Sequence, residues 1–258
     1  MNAHAAPACP RGHGRAAARQ LLLDLQWSDE PTLENFEPAD NALALGSLRD
    51  LLADAPGAER ALYLWGDAAS GKTHLLRAAC AAVQAAGHAA WLLGPHSAPS
   101  HWPALEQLAQ AGRQALLAVD DVQDCSAWQQ QWLFGLYNAA RQAGCAFLAA
   151  ADRAPAALEL RDDLRTRLAW GLGLRLQALD DAAKQRVLAR IAAAHGLQLR
   201  DELSRYILDH HARDMASLVD LLHRIESYAV QHRRAPSVAL LKAMQGEAAA
   251  VPAPLAPS

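Results

Sequence analysis

The segment GDAASGKT, residues 66–73, constrains the fold of this 258-residue chain more than any other feature. It fits the pattern G-x-x-x-x-G-K-[ST], in which glycines let a loop curl so that its backbone N–H groups face phosphates. The apolar run Ala61–Trp65 precedes the segment, and a helical pattern that ends at Gly87 follows it. A loop that leaves a strand and enters a helix also gains the positive end of the helix dipole. The sequence therefore predicts a nucleotide site in an α/β fold, with an ordinary glycine turn as the alternative.

Two residues of this segment carry the chemistry that a bound nucleotide needs. The ammonium of Lys72 would reach the β- and γ-phosphates, and the hydroxyl of Thr73 would ligate Mg²⁺. The candidate nucleotide-binding residues of the loop and the start of its helix are Gly66, Asp67, Ala68, Ala69, Ser70, Gly71, Lys72, Thr73 and His74.

Three aspartates follow later apolar runs. Asp120 and Asp121 end the run Ala115–Val119, and Asp152 ends the run Cys145–Ala151. Ligands of open α/β sheets bind outside the carboxyl ends of the strands, so carboxylates there suit a nucleotide site. We expect Asp120 to hold Mg²⁺ through water and Asp121 to orient or deprotonate an attacking water, with two solvated acids as the alternative. Asp152 would lie beside Asp121, within reach of a γ-phosphate or of that water, or it would only start a turn.

Apolar runs and helical patterns alternate along the first two thirds of the chain. Five runs predict strands, namely Ala61–Trp65, Ala89–Leu93, Ala115–Val119, Cys145–Ala151 and Gly173–Leu179. Strands that alternate with helices predict a parallel sheet with helices on both faces. After residue 179 only helical patterns follow, which predicts a small all-α domain. The expected division is a flexible leader at 1–28, an α/β nucleotide-binding domain at 29–179, an all-α domain at 180–246 and a disordered tail at 247–258.

The composition excludes several function classes. There are 24 Lys and Arg against 27 Asp and Glu, and the net charge of −3 argues against a whole-chain basic field for gripping nucleic acid. The hydrophobic fraction of 52% excludes disorder for the bulk of the chain. No apolar stretch approaches the roughly 20 residues of a membrane span, so we expect no membrane contact. Four cysteines without C-x-x-C spacing indicate reduced thiols, and a cytoplasmic location is expected.

The aromatic and histidine residues add little to the functional prediction. Trp65, Trp132 and Trp170 fall in apolar runs, which favours core positions over binding surfaces. The eleven histidines show no metal-ligand spacing, so none is expected to bind a metal.

Five segments resemble the AAA+ ATPases and, within them, the DnaA-type initiator clade. They are LENFEPADNALAL (33–45), LYLWGDAASGKTHLL (62–76), LLAVDDVQ (116–123), FLAAADRAPAAL (147–158) and LRTRLAWGL (164–172). The resemblance covers roughly residues 30–245. It implies ADP or ATP with Mg²⁺ as the cofactor, a lid formed by the all-α domain, and the initiator DnaA as a partner.

The resemblance also assigns a catalytic arginine. LRTRLAWGL looks like the family's R-[FL]-x-W-G segment, whose arginine acts in trans on the nucleotide of a neighbouring subunit. That role maps onto Arg167, with an internal ion pair as the alternative. An arginine finger stabilises the charge that develops on the transferred phosphoryl group and contributes about 10³–10⁵ in rate.

A short peptide in the leader resembles the Q-L-x-L-x-L motif with which bacterial proteins dock on the replicative sliding clamp. An extended peptide of this kind inserts alternating apolar side chains into pockets. The candidate clamp-binding residues are Gln20, Leu21, Leu23 and Leu25, and a first amphipathic helical turn is the alternative. About a dozen residues follow the last predicted helix, so we expect no DNA-binding domain after the lid and contact with DNA only through the clamp.

Two further positions follow from the resemblance. The slot of the family's second sensor arginine, in the lid, falls on Ala216, with Arg213 three residues earlier as a candidate substitute. Hydrolysis of ATP by this chain itself, and its choice between ATP and ADP, are therefore open. Phe36 lies in the family's adenine-side segment and is either a stacking partner of the base or a core residue.

Three functions are compatible with these observations. The first is a DnaA-homologous inhibitor of replication initiation, which docks on the clamp and presents Arg167 to the ATP of DnaA. The second is a helicase loader or transposition helper that acts on DNA with its own ATP hydrolysis. The third is an adaptor whose nucleotide is structural. The charge balance favours the first, while enzymatic activity of its own and assembly into a homo-oligomer stay open.

Overall fold

The computed structural model describes residues 30–212 and 214–250, with side chains as far as residue 246. The predicted leader at 1–28 with its candidate clamp peptide, Gln20 to Leu25, lies outside the described residues. The same holds for Arg213 and for residues 251–258 of the predicted tail.

Five parallel strands form one sheet in the spatial order β2-β3-β4-β1-β5. The strands are β1 (Ala61–Trp65), β2 (Ala90–Leu93), β3 (Leu116–Val119), β4 (Ala146–Ala151) and β5 (Leu172–Arg175). The first has its predicted bounds, and the next three each begin one residue later than predicted. The fifth runs from 172 to 175 rather than from 173 to 179, because its neighbour β1 ends at Trp65, which pairs with Arg175.

Helices cover both faces of the sheet, because successive apolar side chains of each strand point to opposite faces and both faces must be buried. The helices of this part are α1 (Ala42–Leu52), α2 (Lys72–Ala85), α3 (Leu105–Ala111), α4 (Ala127–Ala143) and α5 (Asp162–Leu168). Leu62 and Leu64 of β1 pack with α1 and α2 in one apolar cluster. Tyr63, which points to the opposite face, packs with α3, α4 and α5 in a second cluster.

The chain after the sheet is all-helical. Its helices are α6 (Asp181–Ala194), α7 (Asp201–His210), α8 (Met215–His232) and α9 (Val238–Ala250). Leu188, Ile207, Leu222 and Leu241, one from each helix, lie in a third apolar cluster. The predicted fold class, a parallel α/β sheet with an all-α region after it, is confirmed. The α9 helix continues past 247, where the tail was predicted to begin, and the domain division at residue 179 stays a prediction.

None of the helices in the described part of the chain is both long enough and apolar enough to cross a membrane.

A buried asparagine ties the start of α1 to the segment that leaves β5. Asn41 is 3% exposed. Its side-chain amide donates to the carbonyl oxygen of Gln177 at 2.9 Å, and its side-chain oxygen accepts from the N–H of Gln177 at 2.8 Å. The amide thereby replaces the strand partner that Gln177 no longer has, and it fixes the path from the sheet to α6.

Replacing Asn41 by alanine should destabilise the protein. The substitution removes both hydrogen bonds and leaves a polar backbone unit without its partners, so we expect a loss of about 1–3 kcal/mol in the free energy of unfolding. Urea unfolding followed by tryptophan fluorescence measures this loss. Asp40→Ala, at the exposed neighbouring position, is the control and should change the stability by less than about 0.5 kcal/mol. Equal stability of the two variants would contradict the role given to Asn41.

Candidate functional site

The loop between β1 and α2 has the backbone of a phosphate cradle. Gly66, Ala69 and Gly71 all have positive φ angles, of 151°, 61° and 94°. Alternating backbone of this kind turns successive N–H groups into one concavity, which favours an anion. The α2 helix starts directly afterwards at Lys72, and the first N–H groups of a helix have no partner within it.

Both framework glycines of the loop are required by close contacts. A Cβ atom at Gly66 would lie 2.2 Å from the carbonyl oxygen of Leu176, and one at Gly71 would lie 2.8 Å from Cε2 of Phe36. With their positive φ angles, these positions suit glycine alone. The loop therefore holds the tight curl that a bound polyphosphate needs, and the residues present fit a nucleotide.

The lysine of the loop is buried and held in place. Lys72 is 8% exposed. Its ammonium donates to the carbonyl oxygens of Gly66 at 2.7 Å and Asp67 at 2.8 Å, and to the hydroxyl of Ser70 at 3.4 Å. These neutral acceptors leave the positive charge of Lys72 available to phosphate oxygens at the mouth of the loop.

Thr73 and Asp120 face one another across the carboxyl edge of the sheet. The hydroxyl of Thr73 is hydrogen-bonded to the carboxylate of Asp120, and the N–H of Asp121 donates to the same carboxylate at 3.1 Å. Burial raises the pKa of Asp120, and the charge of Asp121 raises it further, against the opposing effect of Thr73. A carboxylate whose charge is this poorly compensated suits a bound cation, and Thr73 and Asp120 are the residues that would hold Mg²⁺.

Gln123, which is not among the predicted site residues, links the ends of β3 and β4. Its side-chain amide donates to Asp121 at 3.3 Å and to Asp124 at 3.0 Å, while its side-chain oxygen accepts from the N–H of Asp152 at 3.3 Å. Its position two residues after Asp121 is the feature of the sequence that indicates a place near the site. The carboxylate of Asp152 is itself paired with the adjacent Arg153 at 2.5 Å, which lowers its pKa.

A cleft of about 1030 Å³ lies over the loop, and three parts of the chain line it. One wall is formed by residues 31–37, the floor by residues 68–74 with Asp121, and the other wall by α6 and α8. Neither Asp120 nor Asp152 is among the residues that line the cleft. The role predicted for Asp152 at a γ-phosphate stays a prediction.

The wall of residues 31–37, which we call the strap, contacts both sides of the cleft. On the loop side, Nε2 of His74 lies 3.0 Å from the carbonyl oxygen of Thr32, so this nitrogen carries the proton, and burial lowers the pKa of His74. On the lid side, Glu37 pairs with Arg186 at 3.2 Å and with Arg190 at 3.3 Å. The strap therefore connects the start of α2 to α6.

Phe36 of the strap lies against Gly71, with its ring centroid 5.5 Å from that of His74. It is 8% exposed and belongs to the apolar cluster under α1 and α2. It also lines the cleft. Phe36 is thus a core residue with one edge at the site, which combines the two positions that the sequence allows for it.

Arg167 lies away from this cleft, on α5. Its guanidinium carbon stands 4.0 Å from the ring centroid of Trp170 and 5.5 Å from that of Phe134. Gly171 follows, and a Cβ atom there would lie 2.5 Å from the carbonyl oxygen of Ala61. The W-G pair therefore places an indole under the arginine and lets the chain enter β5 close beside β1.

The core positions predicted for Trp132 and Trp170 are wrong, since these residues are 41% and 50% exposed. Along α4, Leu133, Leu136 and Tyr137 face the sheet, which turns Trp132 outward. Trp170 follows the end of α5 and covers Arg167 instead of entering the core. Trp65 is half-buried at the end of β1.

Comparison with known proteins agrees with this geometry. The family model for the lid domain of Hda matches residues 181–244, and the one for the bacterial DnaA ATPase domain matches residues 104–175. An uncharacterised protein of Haemophilus influenzae is 34% identical over 231 residues, which cover 87% of this chain and 97% of that protein. The chain belongs to the Hda-like family of DnaA-homologous AAA+ proteins. The chain is therefore a DnaA-related replication regulator.

Solved structures share the fold of this Hda-like chain. Domain III of the replication initiation protein DnaA from Thermotoga maritima superimposes with a TM-score of 0.69 and 18% identity, over 85% of this chain and 97% of that one. AMPPCP-bound DnaA from Aquifex aeolicus gives a TM-score of 0.61 and 22% identity, over 76% of this chain and 65% of that one. The predicted AAA+ fold of the DnaA type is confirmed.

The lid of this Hda-like chain presents Ala216 to the cleft. Ala216 lies in the first turn of α8, directly after Met215, and both residues line the cleft. The N–H of Ser217, the next residue, donates to the side chain of Asp214 at 2.8 Å and so caps the helix. Arg190 is the lid arginine that lines the cleft among the described residues, and it is committed to Glu37 and to the carbonyl oxygen of Asn35.

Asp120→Asn should raise the stability of the nucleotide-free protein and reduce the effect of Mg²⁺ on its affinity for nucleotide. The raised pKa means that the charged carboxylate costs stability as the pH rises above the ordinary value of 3.8. The gain in thermal midpoint should therefore be larger at pH 7 than at pH 4.5. Mg²⁺ should no longer strengthen nucleotide binding, which titration calorimetry measures as a loss of about tenfold in affinity.

The matched control for this variant is Asp124→Asn, at an exposed carboxylate three residues after Asp121. It should leave both the pH dependence and the Mg²⁺ effect unchanged. A stability gain for Asp120→Asn that does not grow with pH would show that burial of its charge is not the cause.

Proposed function

We propose that this chain binds an adenine nucleotide over the loop of residues 66–73 and promotes hydrolysis of the ATP bound by DnaA through Arg167. The observation that carries the proposal is the location of Arg167. Its guanidinium lies outside the chain's own cleft, beside an exposed indole. Because Arg167 lines a different surface pocket from the cleft, it is placed to act on the nucleotide of a neighbouring subunit rather than on its own.

The nucleotide site of the chain supports the first half of this proposal. The curled loop, buried Lys72 and the start of α2 fit the β- and γ-phosphates, and Thr73 with Asp120 fits Mg²⁺. The related DnaA of Aquifex aeolicus binds AMPPCP, an adenine nucleotide analogue, in a structure of the same fold. We therefore propose ADP or ATP with Mg²⁺ as the cofactor, and Asp121 as the group that positions water.

The lid argues for weak hydrolysis by the chain itself. Ala216 offers the cleft a methyl group where the DnaA-type clade uses an arginine on the γ-phosphate. Arg190, the arginine of the lid that lines the cleft among the described residues, is already paired with Glu37. Since the described lid offers the cleft no unpaired arginine, the bound nucleotide would act mainly to hold strap, loop and lid together. In this reading the chain is a regulator whose chemistry takes place on its partner.

In that partner, water attacks the γ-phosphorus of ATP and the bond to the bridging oxygen of ADP breaks. Negative charge then spreads over the equatorial oxygens of the transferred group. Arg167 would donate N–H groups to these oxygens. Hydrolysis leaves DnaA in its ADP form, which is the basis of the proposed inhibition of re-initiation.

We propose further that Gln20, Leu21, Leu23 and Leu25 dock on the sliding clamp, so that the chain reaches DNA through the clamp alone. The support is the Q-L-x-L-x-L pattern of the sequence together with the net charge of −3. The peptide begins ten residues before Glu30, where the described part of the chain begins.

Arg167→Ala should abolish the stimulation of DnaA. We expect the clamp-dependent rate of ATP hydrolysis by DnaA to fall by about a thousandfold or to background, measured as phosphate release in single-turnover assays. Arg165→Ala, on the same helix and paired with Asp162, is the charge-matched control and should change the rate by less than about twofold. Wild-type stimulation by Arg167→Ala would refute the trans role.

Gln20→Ala combined with Leu23→Ala should weaken binding to the clamp by about tenfold or more, because anchoring side chains carry most of the energy of a short peptide. Leu22→Ala, at a position that the motif leaves free, is the control and should bind as the wild type does. Surface plasmon resonance on immobilised clamp measures both. Robust DNA-stimulated ATP turnover by the chain without DnaA would instead favour the helicase-loader or transposition-helper function.

A further inference from the structure

A second arginine shares the indole of Trp170 with Arg167. The guanidinium carbon of Arg141, on α4, lies 4.8 Å from the ring centroid of Trp170, and that of Arg167 lies 4.0 Å from it. Both residues line one surface pocket of about 590 Å³, with Asn138, Gln142 and Trp170 as the other lining residues. The walls of this pocket are thus two cations, two amides and an aromatic ring, with no acidic residue.

Neither cation is neutralised nearby. Across residues 30–212 and 214–246, no carboxylate forms an ion pair with Arg141 or Arg167. Nε of Arg167 is buried and makes no hydrogen bond within the same residues. Both charges also act on Tyr137 beneath them, where they lower its pKa against the larger effect of burial, which raises it. The pocket is therefore electropositive.

An anion in this pocket would offset the repulsion between its two cations. Two guanidiniums against one indole repel each other, and each cation–π contact at an exposed site returns only about 0.5–1 kcal/mol. By contrast, Arg60, Arg113 and Arg153 each pair with an aspartate. The planar N–H fork of arginine matches phosphate oxygens two at a time. A polyphosphate, with oxygens on several phosphorus atoms, can engage two such forks together.

We propose that Arg141 is a second phosphate-binding arginine, which contacts the nucleoside triphosphate held by a neighbouring subunit alongside Arg167. This inference rests on the proposed trans role of Arg167. Asn138 and Gln142 lie one turn of α4 before Arg141 and directly after it, and their amides border the same pocket. Arg167 stabilises the negative charge that develops in the transition state. Arg141 binds the triphosphate before the reaction and so discriminates ATP from ADP.

The test measures binding and hydrolysis separately with the full chain and the loaded clamp. Affinity is determined for DnaA loaded with AMPPCP and for DnaA loaded with ADP, and hydrolysis is followed with ATP. Arg141→Ala should lower the affinity for the AMPPCP form by about tenfold to a hundredfold and leave that for the ADP form within about twofold. Arg141→Lys should restore part of the preference, because it keeps the charge and loses the fork. Arg165→Ala should keep the full preference.

The outcomes separate this inference from the proposed function. If Arg167→Ala still supports hydrolysis, the trans role fails, and the inference fails with it. If Arg167→Ala abolishes hydrolysis while Arg141→Ala keeps the preference for AMPPCP, only the inference is refuted. Equal weakening of both nucleotide forms by Arg141→Ala would mean that Arg141 contacts protein rather than phosphate, and it too would overturn the inference. The thermal midpoint of each variant shows whether the fold is retained.

Discussion

The close approach of Leu176 to Gly66 is the contact on which the rest of the site depends. Its carbonyl oxygen occupies the space that any side chain at Gly66 would need. This contact sets the end of β5 against the start of the loop, and Asn41 then holds the next residue, Gln177, in place. The chain reaches α6 from that point, so the lid lies over the loop and the cleft forms between them. The phosphate cradle and the position of the lid therefore both depend on the close packing of Leu176 against Gly66.

The site divides its charges between two surfaces that share no residue. The cleft is lined by Lys72 and Asp121, and Asp120, whose pKa burial raises, lies beside them at the sheet edge. The pocket at Arg167 carries positive charge without carboxylates. Under the proposed function, the first surface would hold the chain's own nucleotide and the second would face the nucleotide of a neighbour. Among the described residues Arg167 forms no ion pair with a carboxylate, which argues against the internal ion pair that the sequence left as its alternative role.

Sequence patterns predicted the parts of the molecule that rest on local rules. Apolar runs located four strands within one residue, and the loop motif located the cradle, because burial and glycine conformations leave direct marks in a sequence. They failed where contacts between residues far apart in the sequence determine the structure. The end of β5 depends on the length of β1, the role of Asn41 depends on Gln177 136 positions later, and the exposure of Trp170 depends on Arg141 and Arg167. No periodicity along the chain records such pairings.

The strap has a consequence for how the ligands of this chain influence one another. It contacts the start of α2 through His74 and the lid through Glu37, and it continues directly into the leader. A partner that binds the leader and shifts the strap would alter the affinity of the cleft for nucleotide. Thermodynamic linkage then requires nucleotide to alter the affinity for that partner by the same factor. Binding of the partner to the leader would therefore change the dissociation constant of the nucleotide in the cleft, and binding of nucleotide would change that of the partner.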